Sequence, residues 1–380
     1  MEIFKIYNPV NVHFGKDVLD DFEQTVAQYG KTVLLIYGGT STTKYGYVDL
    51  IKNKLINLNI KVFEYNGVKP NPTVEQVAYA QQIAIEKSVE CIVALGGGSV
   101  IDAAKIVSIC VPEKLDPWLV MTRKQKATRA LPIISVLTLA ATGSEMNCSA
   151  VIQSESAGKK IGLTDPLIFP KHSFLNPEFT TTVSVEQTAY GVVDTIAHAI
   201  EAWFGTGMPT LTKRFVSSII TEAMHYGPLA ISDPKNYDYR FNLMLAATCA
   251  LNGITEICCS YGDWGVHSIG HELSFQFDIA HGASLSIVLP AWLKHHAKHL
   301  DKEISQLGTY LFNQPNTMKT IELLEKFFSS IGSPTSLPWR NITKEHKQQI
   351  IDGLNKNRAG GYVHKLTDDD RASIVNFMFK

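Results

Sequence analysis

Short apolar runs, each followed closely by glycine or proline, alternate with helix-like stretches through the first half of the chain. Thr32 to Tyr37, Lys61 to Tyr65, Cys91 to Leu95 and Leu131 to Leu137 read as strands. Stretches from about Tyr47, from Thr73 to about Lys87 and after Ser99 read as helices, and Thr73 with Gln76 forms a capping-box signature. Apolar runs without polar alternation suit strands buried on both faces, so this half predicts a parallel sheet covered by helices. Around Val151 to Gly162, a Ser-Ala-Gly turn between more polar strands predicts a β-hairpin.

After about residue 180 the period becomes helical. Ser184 with Gln187 is a second capping signature, and the pattern runs to Phe204 and stops at Gly205. Further helices are expected at about 210–230, 237–258, 264–277, 283–299, 302–312, 317–331, 343–356 and 367–378. Pro290 inside one of them predicts a kink or a break. A chain of 380 residues exceeds one ordinary core. The expected division is an α/β domain over 1–182 and a helical domain over 183–380; the chemistry-bearing residues described below make the first the expected dinucleotide-binding domain and the second the expected metal-binding domain.

A net charge of −1 provides no basic field for nucleic acid or anionic lipid, so neither is an expected partner. No apolar run approaches the roughly 18 residues of a membrane span. Met1 to Lys5 lacks the layout of a signal peptide. The six cysteines show no Cys-x-x-Cys spacing, and several lie in apolar runs, which fits buried thiols in a reducing cytoplasm.

Two features carry chemistry. The strand ending at Leu95 runs into Gly96-Gly97-Gly98-Ser99 and then a helix with Asp102 in its first turn. Glycines let backbone amides approach an anion, and the helix aims its positive end at the same spot, an arrangement able to hold a pyrophosphate. The same turn could be a bare strand–helix junction, and Asp102 a simple complement to the helix dipole. The strand ending at Tyr37 continues Gly38-Gly39-Thr40-Ser41, without the carboxylate that an NAD site sets on the ribose hydroxyls. That tilts the expected cofactor towards NADP(H) rather than NAD(H), although the same residues also read as ordinary polar turn residues. Thr138 to Glu145, with Thr142 and Ser144, offers hydroxyls beside glycine that could cradle another part of the nucleotide, though taken alone such a segment is more often a plain helix-start loop.

The second feature is a set of histidines. Asp194 and His198 are one helical turn apart, as are His267 and His271, and His281-Gly282 marks a loop. The neighbours of Asp194 are mostly apolar, where a carboxylate needs a partner or a metal. One aspartate and up to three histidines can enclose a divalent cation. By contrast His295, His296 and His299, beside Lys294 and Lys298, read as a solvated helix end.

Gly191-Val192-Val193-Asp194-Thr195-Ile196-Ala197-His198, and Asp263-Trp264-Gly265-Val266-His267-Ser268-Ile269-Gly270-His271-Glu272-Leu273 through His281-Gly282, are similar to the iron-containing (group III) alcohol dehydrogenases. The resemblance is greatest to the NADPH-dependent butanol dehydrogenase and aldehyde reductase branch. It runs nearly end to end, from Phe14-Gly15-Lys16 through Pro70-Asn71-Pro72, Asp116-Pro117-Trp118, Ala141-Thr142-Gly143-Ser144-Glu145 and Asn252-Gly253 to Ile287-Val288-Leu289-Pro290.

The resemblance implies an N-terminal Rossmann-like domain plus an all-α C-terminal domain, a dehydroquinate synthase-like architecture. It implies NADP(H)-dependent interconversion of primary alcohols and aldehydes, mainly as an aldehyde reductase, with Fe2+ or Zn2+ held by Asp194, His198, His267 and His281. His271 is implied to lie near the substrate rather than on the metal. Lys160 matches a lysine that reaches the cofactor, with Asn71 and the Gly97, Gly98 and Ser99 turn among the cofactor residues. A homodimer with N-terminal strands (Phe4 to Phe14) pairing across subunits is implied as well. Glu272 stands where common members carry proline, a change that the branch shares. The alternatives are a dehydroquinate synthase-like or glycerol dehydrogenase-like enzyme, or a catalytically silent nucleotide-binding relative. The segments flanking Asp194 and His267 lack the Lys and Arg cluster that an anionic substrate requires.

Overall fold

The computed structural model describes residues 5–259 and 262–379. Met1 to Phe4, which carry most of the expectation about a signal peptide and the start of the pairing segment, lie outside the described residues. The chain forms two compact units. One is Tyr7–Val183 with Lys235–Met244, and the other contains Ser184–Pro234 and the chain from Leu245 onward.

The first unit holds a six-stranded sheet. Its strands are β1 (Asn11–Phe14), β2 (Thr32–Gly38), β3 (Lys61–Val68), β4 (Cys91–Gly96), β5 (Ile133–Leu137) and β8 (His172–Leu175), in the order β1-β8-β5-β4-β2-β3. Every pairing in this sheet is parallel. The pleat sends alternate residues to opposite faces, and both faces are apolar. Leu34, Ile36, Ile92 and Ala94 join one core with helices α4 (Val74–Glu86) and α5 (Gly98–Cys110). Val33, Leu35, Val93 and Leu95 join the other with α1 (Phe22–Ala27) and α3 (Tyr47–Asn57). The expected hairpin is the antiparallel pair β6 (Ser149–Ser154) and β7 (Lys159–Thr164). Two short helices, α2 (Ser41–Lys44) and α6 (Pro117–Met121), also belong to this unit.

The segment Lys235–Met244 groups with this unit although its helical period continues into the second half of the chain. Its apolar side chains explain the grouping: Phe241 packs edge-on against Phe14 at 4.7 Å, and Met244 joins the core that contains Val100 and Leu175.

The other unit is helical: α7 (Val185–Trp203), α8 (Thr210–Ser232), the end of α9 (Tyr237–Ala250), α10 (Gly265–Phe277), α11 (His281–His296), α12 (Asp301–Phe312), α13 (Thr317–Ser330), α14 (Lys347–Asn357) and α15 (Asp368–Met378). The helix expected over 237–258 ends at Ala250, and Gly253 beyond it takes φ +98°, a conformation that interrupts helical hydrogen bonding. α11 runs unbroken through Pro290, as α8 does through Pro228. Leu285, Ile287, Val288, Leu289, Ala291, Trp292 and Leu293 are all buried, and this packing on every side holds the helix together where proline removes one donor. Among the described residues no helix is long and apolar enough to cross a membrane.

Candidate metal centre

α7 begins at Ser184, whose hydroxyl accepts the Gln187 amide at 3.2 Å, and its residues from Thr188 to Trp203 are buried. A 3.6-residue period within that buried stretch sets Asp194 and His198 on one face. α10 brings His267 to them, and α11 brings its first residue, His281. The approach of α11 depends on Gly282, because any side chain there would collide with the backbone carbonyl of Tyr190 on α7.

The geometry centres on one oxygen. Asp194 Oδ1 lies 3.6 Å from His198 Nδ1, 3.5 Å from His267 Nε2 and 3.7 Å from His281 Nε2. The potential ligand atoms of Asp194, His267 and His281 all fall within 4.8 Å of one another. These separations exceed ordinary N–H···O hydrogen bonds. They are close to the edge of about 3.4 Å in a tetrahedron with metal–ligand bonds of about 2.1 Å. His198 Nδ1 and His267 Nε2 are buried without a hydrogen-bond partner among the described residues. One carboxylate with three imidazoles is a donor set for a borderline divalent cation.

The rings are packed as well as pointed. His198 stacks on His267 with centroids 4.5 Å apart, and Trp264 meets both edge-on. Trp264 holds φ +63°, a strained setting for a bulky residue. The ring of His271, one turn beyond His267, lies 5.1 Å from that of His281 and 6.3 Å from that of His267. Burial pulls His198 down to about 4, which keeps it neutral. Burial also pulls on His267, but the Glu201 and Asp194 carboxylates outweigh it and push the ring up to about 9. Burial pushes Glu201 up in turn. A bound cation needs these imidazoles neutral.

Sequence reasoning did not single out Glu201. It is almost fully buried, its Oε2 bonds His267 Nδ1, and its Oε1 accepts the Val266 amide at 2.6 Å. The signal was available: Glu201 follows Asp194 by two helical turns in the same apolar stretch. The structure also corrects the reading of His296 as solvated. It is buried with its ring 4.2 Å from that of Trp292 and 5.6 Å from that of His364, because the last turn of α11 packs inward.

The residues expected at the nucleotide lie in the first unit. Gly97 caps α5, and Gly98 opens it. A side chain on Gly98 would collide with Thr142, so glycine here lets the loop after β5 close over the turn. That loop begins at Thr138, whose amide bonds the Gly96 carbonyl at 3.0 Å. Ser99 and Asp102 follow on α5. Asp102 is tied into the protein: Ser144 donates to its Oδ1 at 2.5 Å and the Val151 amide to its Oδ2 at 2.9 Å. Lys105 was also missed. Fully buried on α5, it donates to Ser144 Oγ, Asn147 Oδ1 and the Ser149 carbonyl, and burial lowers it to about 8. Lys160 donates to Asn71 Oδ1 at 2.8 Å, which joins two of the expected cofactor residues. Gly38 ends β2, Gly39 turns at φ +70°, Thr40 caps α2, and Ser41 starts it.

Residues 9–177 match the family of iron-containing alcohol dehydrogenases, and residues 188–375 match the C-terminal part of the Fe-containing alcohol dehydrogenase family. A probable NADH-dependent butanol dehydrogenase 1 of Bacillus subtilis is 34% identical, with 99% of each chain covered. The NADPH-dependent aldehyde reductase YqhD of Escherichia coli is 33% identical over 89% of each chain. The crystal structure of a NADH-dependent butanol dehydrogenase A from Thermotoga maritima superposes with a TM-score of 0.96 at 33% identity, covering 100% of this chain and 99% of the other.

Proposed function

Because the chain belongs to the iron-containing alcohol dehydrogenase family and is an oxidoreductase of alcohols and aldehydes, we propose that it works mainly as an NADP(H)-dependent reductase of small aldehydes to primary alcohols. The observation that carries the reading is the convergence of His198, His267 and His281 on Asp194 Oδ1 at 3.5–3.7 Å. Asp194, His198, His267 and His281 would hold one divalent cation, Fe2+ or Zn2+; oxygen and nitrogen ligands suit both. When bound, that cation supplies Lewis-acid polarisation of a carbonyl, and a bound nicotinamide supplies the hydride.

The remaining work falls to the chain. Asp194 is the one carboxylate among the ligands and offsets positive charge. His271, beside His281, passes a proton from an imidazole nitrogen through water as the alkoxide becomes an alcohol. Gly97, Gly98 and Ser99 at the start of α5 bind the pyrophosphate, aided by Thr138, Thr142 and Ser144. Asp102 keeps that loop in place. Asn71 and Lys160, already paired, orient the rest of the cofactor.

The NADP(H) preference is supported by Gly38-Gly39-Thr40-Ser41 at the end of β2, where no carboxylate stands to repel a 2′-phosphate. The relatives include both NADH- and NADPH-dependent enzymes, so the rate ratio of the two cofactors is the deciding measurement. A homodimer is supported by β1, which lies at the end of the sheet with β8 as its neighbour. The six free thiols suit a reducing cytoplasm. Purified enzyme should consume NADPH with butyraldehyde, lose that activity to a chelator and regain it on adding Fe2+ or Zn2+. Activity indifferent to chelation, in protein free of metal, would defeat the proposal.

A further inference from the structure

We propose that Glu201 is a positioning residue of the metal centre: it fixes the proton and the orientation of His267, and so sets how tightly the cation is held. The inference rests on the metal-centre reading above and deepens it.

Three observations meet at this side chain. Glu201 is carried by α7, the helix of Asp194 and His198, and is almost fully buried. Its carboxylate bonds His267 Nδ1. It also accepts the backbone amides of Val266 at 2.6 Å and His267 at 3.3 Å, the second and third residues of α10. The first amides of a helix have no partner within it. Trp264, at the position before α10, makes no side-chain cap, so Glu201 serves α10 from another helix. One carboxylate therefore fixes both the start of α10 and the ring that projects from it.

The chemical consequence follows from what a carboxylate can do. It only accepts, so the proton of the neutral imidazole sits on Nδ1. The lone pair is then on Nε2, the atom 3.5 Å from Asp194 Oδ1. Outer partners of this kind orient a ligand imidazole and raise its basicity, and losing one typically weakens metal affinity by roughly 10–100-fold. A carboxylate that only capped α10 would leave the affinity for metal unchanged.

The test is the Zn2+ affinity of the metal-free full-length protein, by competition with a chromophoric chelator, in wild type and Glu201→Gln. Glutamine keeps the shape and can still accept a backbone amide, but it loses the charge. The expected result is a Kd raised roughly 10–100-fold in a variant whose metal-free circular dichroism matches wild type. A wild-type Kd in folded Glu201→Gln would overturn the role of Glu201 while leaving the centre intact. A wild-type protein that does not bind Zn2+ would instead overturn the centre. Should Glu201→Gln fail to fold, nitrogen-15 NMR of the Zn2+-loaded wild type decides, with the His267 signals assigned by their loss in His267→Asn. The proton is expected on Nδ1; a proton on Nε2 would refute the proposal.

Discussion

At the scale of single residues, Asp194 is the atom group on which three imidazoles converge, and its substitution is the most direct probe of them. Asp194→Asn preserves volume and removes the charge. It should lower metal content and turnover by more than the roughly 10–100-fold expected of an outer partner, as read by elemental analysis after gel filtration and by NADPH consumption. The pairs Asp194/His198 and His267/His271 were legible in the sequence because the helical period alone sets them one turn apart. Glu201 carried only the weak signal of its spacing from Asp194, since a lone acid on a helix usually faces water, and Trp264 carried none, since nothing in a sequence announces a left-handed tryptophan.

His296 supplies a separate prediction. Burial, reinforced by His295, His364 and His299 and opposed by Asp370, pulls it down to about 3. In the unfolded chain it titrates near about 6.5. Between those values the unfolded state binds a proton that the native state does not, so stability falls as pH drops from about 6.5 towards about 3. His296→Phe, which keeps a ring against Trp292, should lose less thermal stability than wild type between about pH 7 and pH 5. An equal loss in both proteins would mean that His296 is not the group responsible.

At the scale of elements, the four longest-read strands were legible because buried parallel strands leave uninterrupted apolar runs. β8 was not, because His172-Ser173-Phe174-Leu175 is short and half polar and owes its strand to β1 and β5 on either side. Ser173 is accommodated in the core by bonding the Ser135 hydroxyl at 2.7 Å, a tertiary contact with no local signature. Two substitutions test how elements are joined. Gly282→Ala should destabilise the fold by about 1–3 kcal/mol through overpacking against Tyr190, and should also weaken metal binding by shifting His281. Lys105→Met should cost about 1–3 kcal/mol, because it removes the buried donor that Ser144 Oγ, Asn147 Oδ1 and the Ser149 carbonyl share, and a positive charge that acts on Asp102. Urea unfolding measures both. A neutral Lys105→Met would show that the hairpin and the loop after β5 hold without it.

For the whole molecule, the reaction class rests on membership of the iron-containing alcohol dehydrogenase family, with the proposed metal centre in the helical unit and the proposed nucleotide turn in the α/β unit. Centre and turn were each legible through local pattern, whereas the grouping of Lys235–Met244 with the α/β unit depended on Phe241 and Met244 finding that core. The substrate and cofactor preferences are properties of the assembled enzyme, and the relatives divide between NADH and NADPH. The measurement that bears most directly on the account is the rate of NADPH oxidation with butyraldehyde by wild type, by chelated and reconstituted wild type, and by Asp194→Asn. The account predicts activity that disappears on chelation, returns with Fe2+ or Zn2+, and cannot be restored to Asp194→Asn. Full turnover by the chelated enzyme or by Asp194→Asn would contradict it.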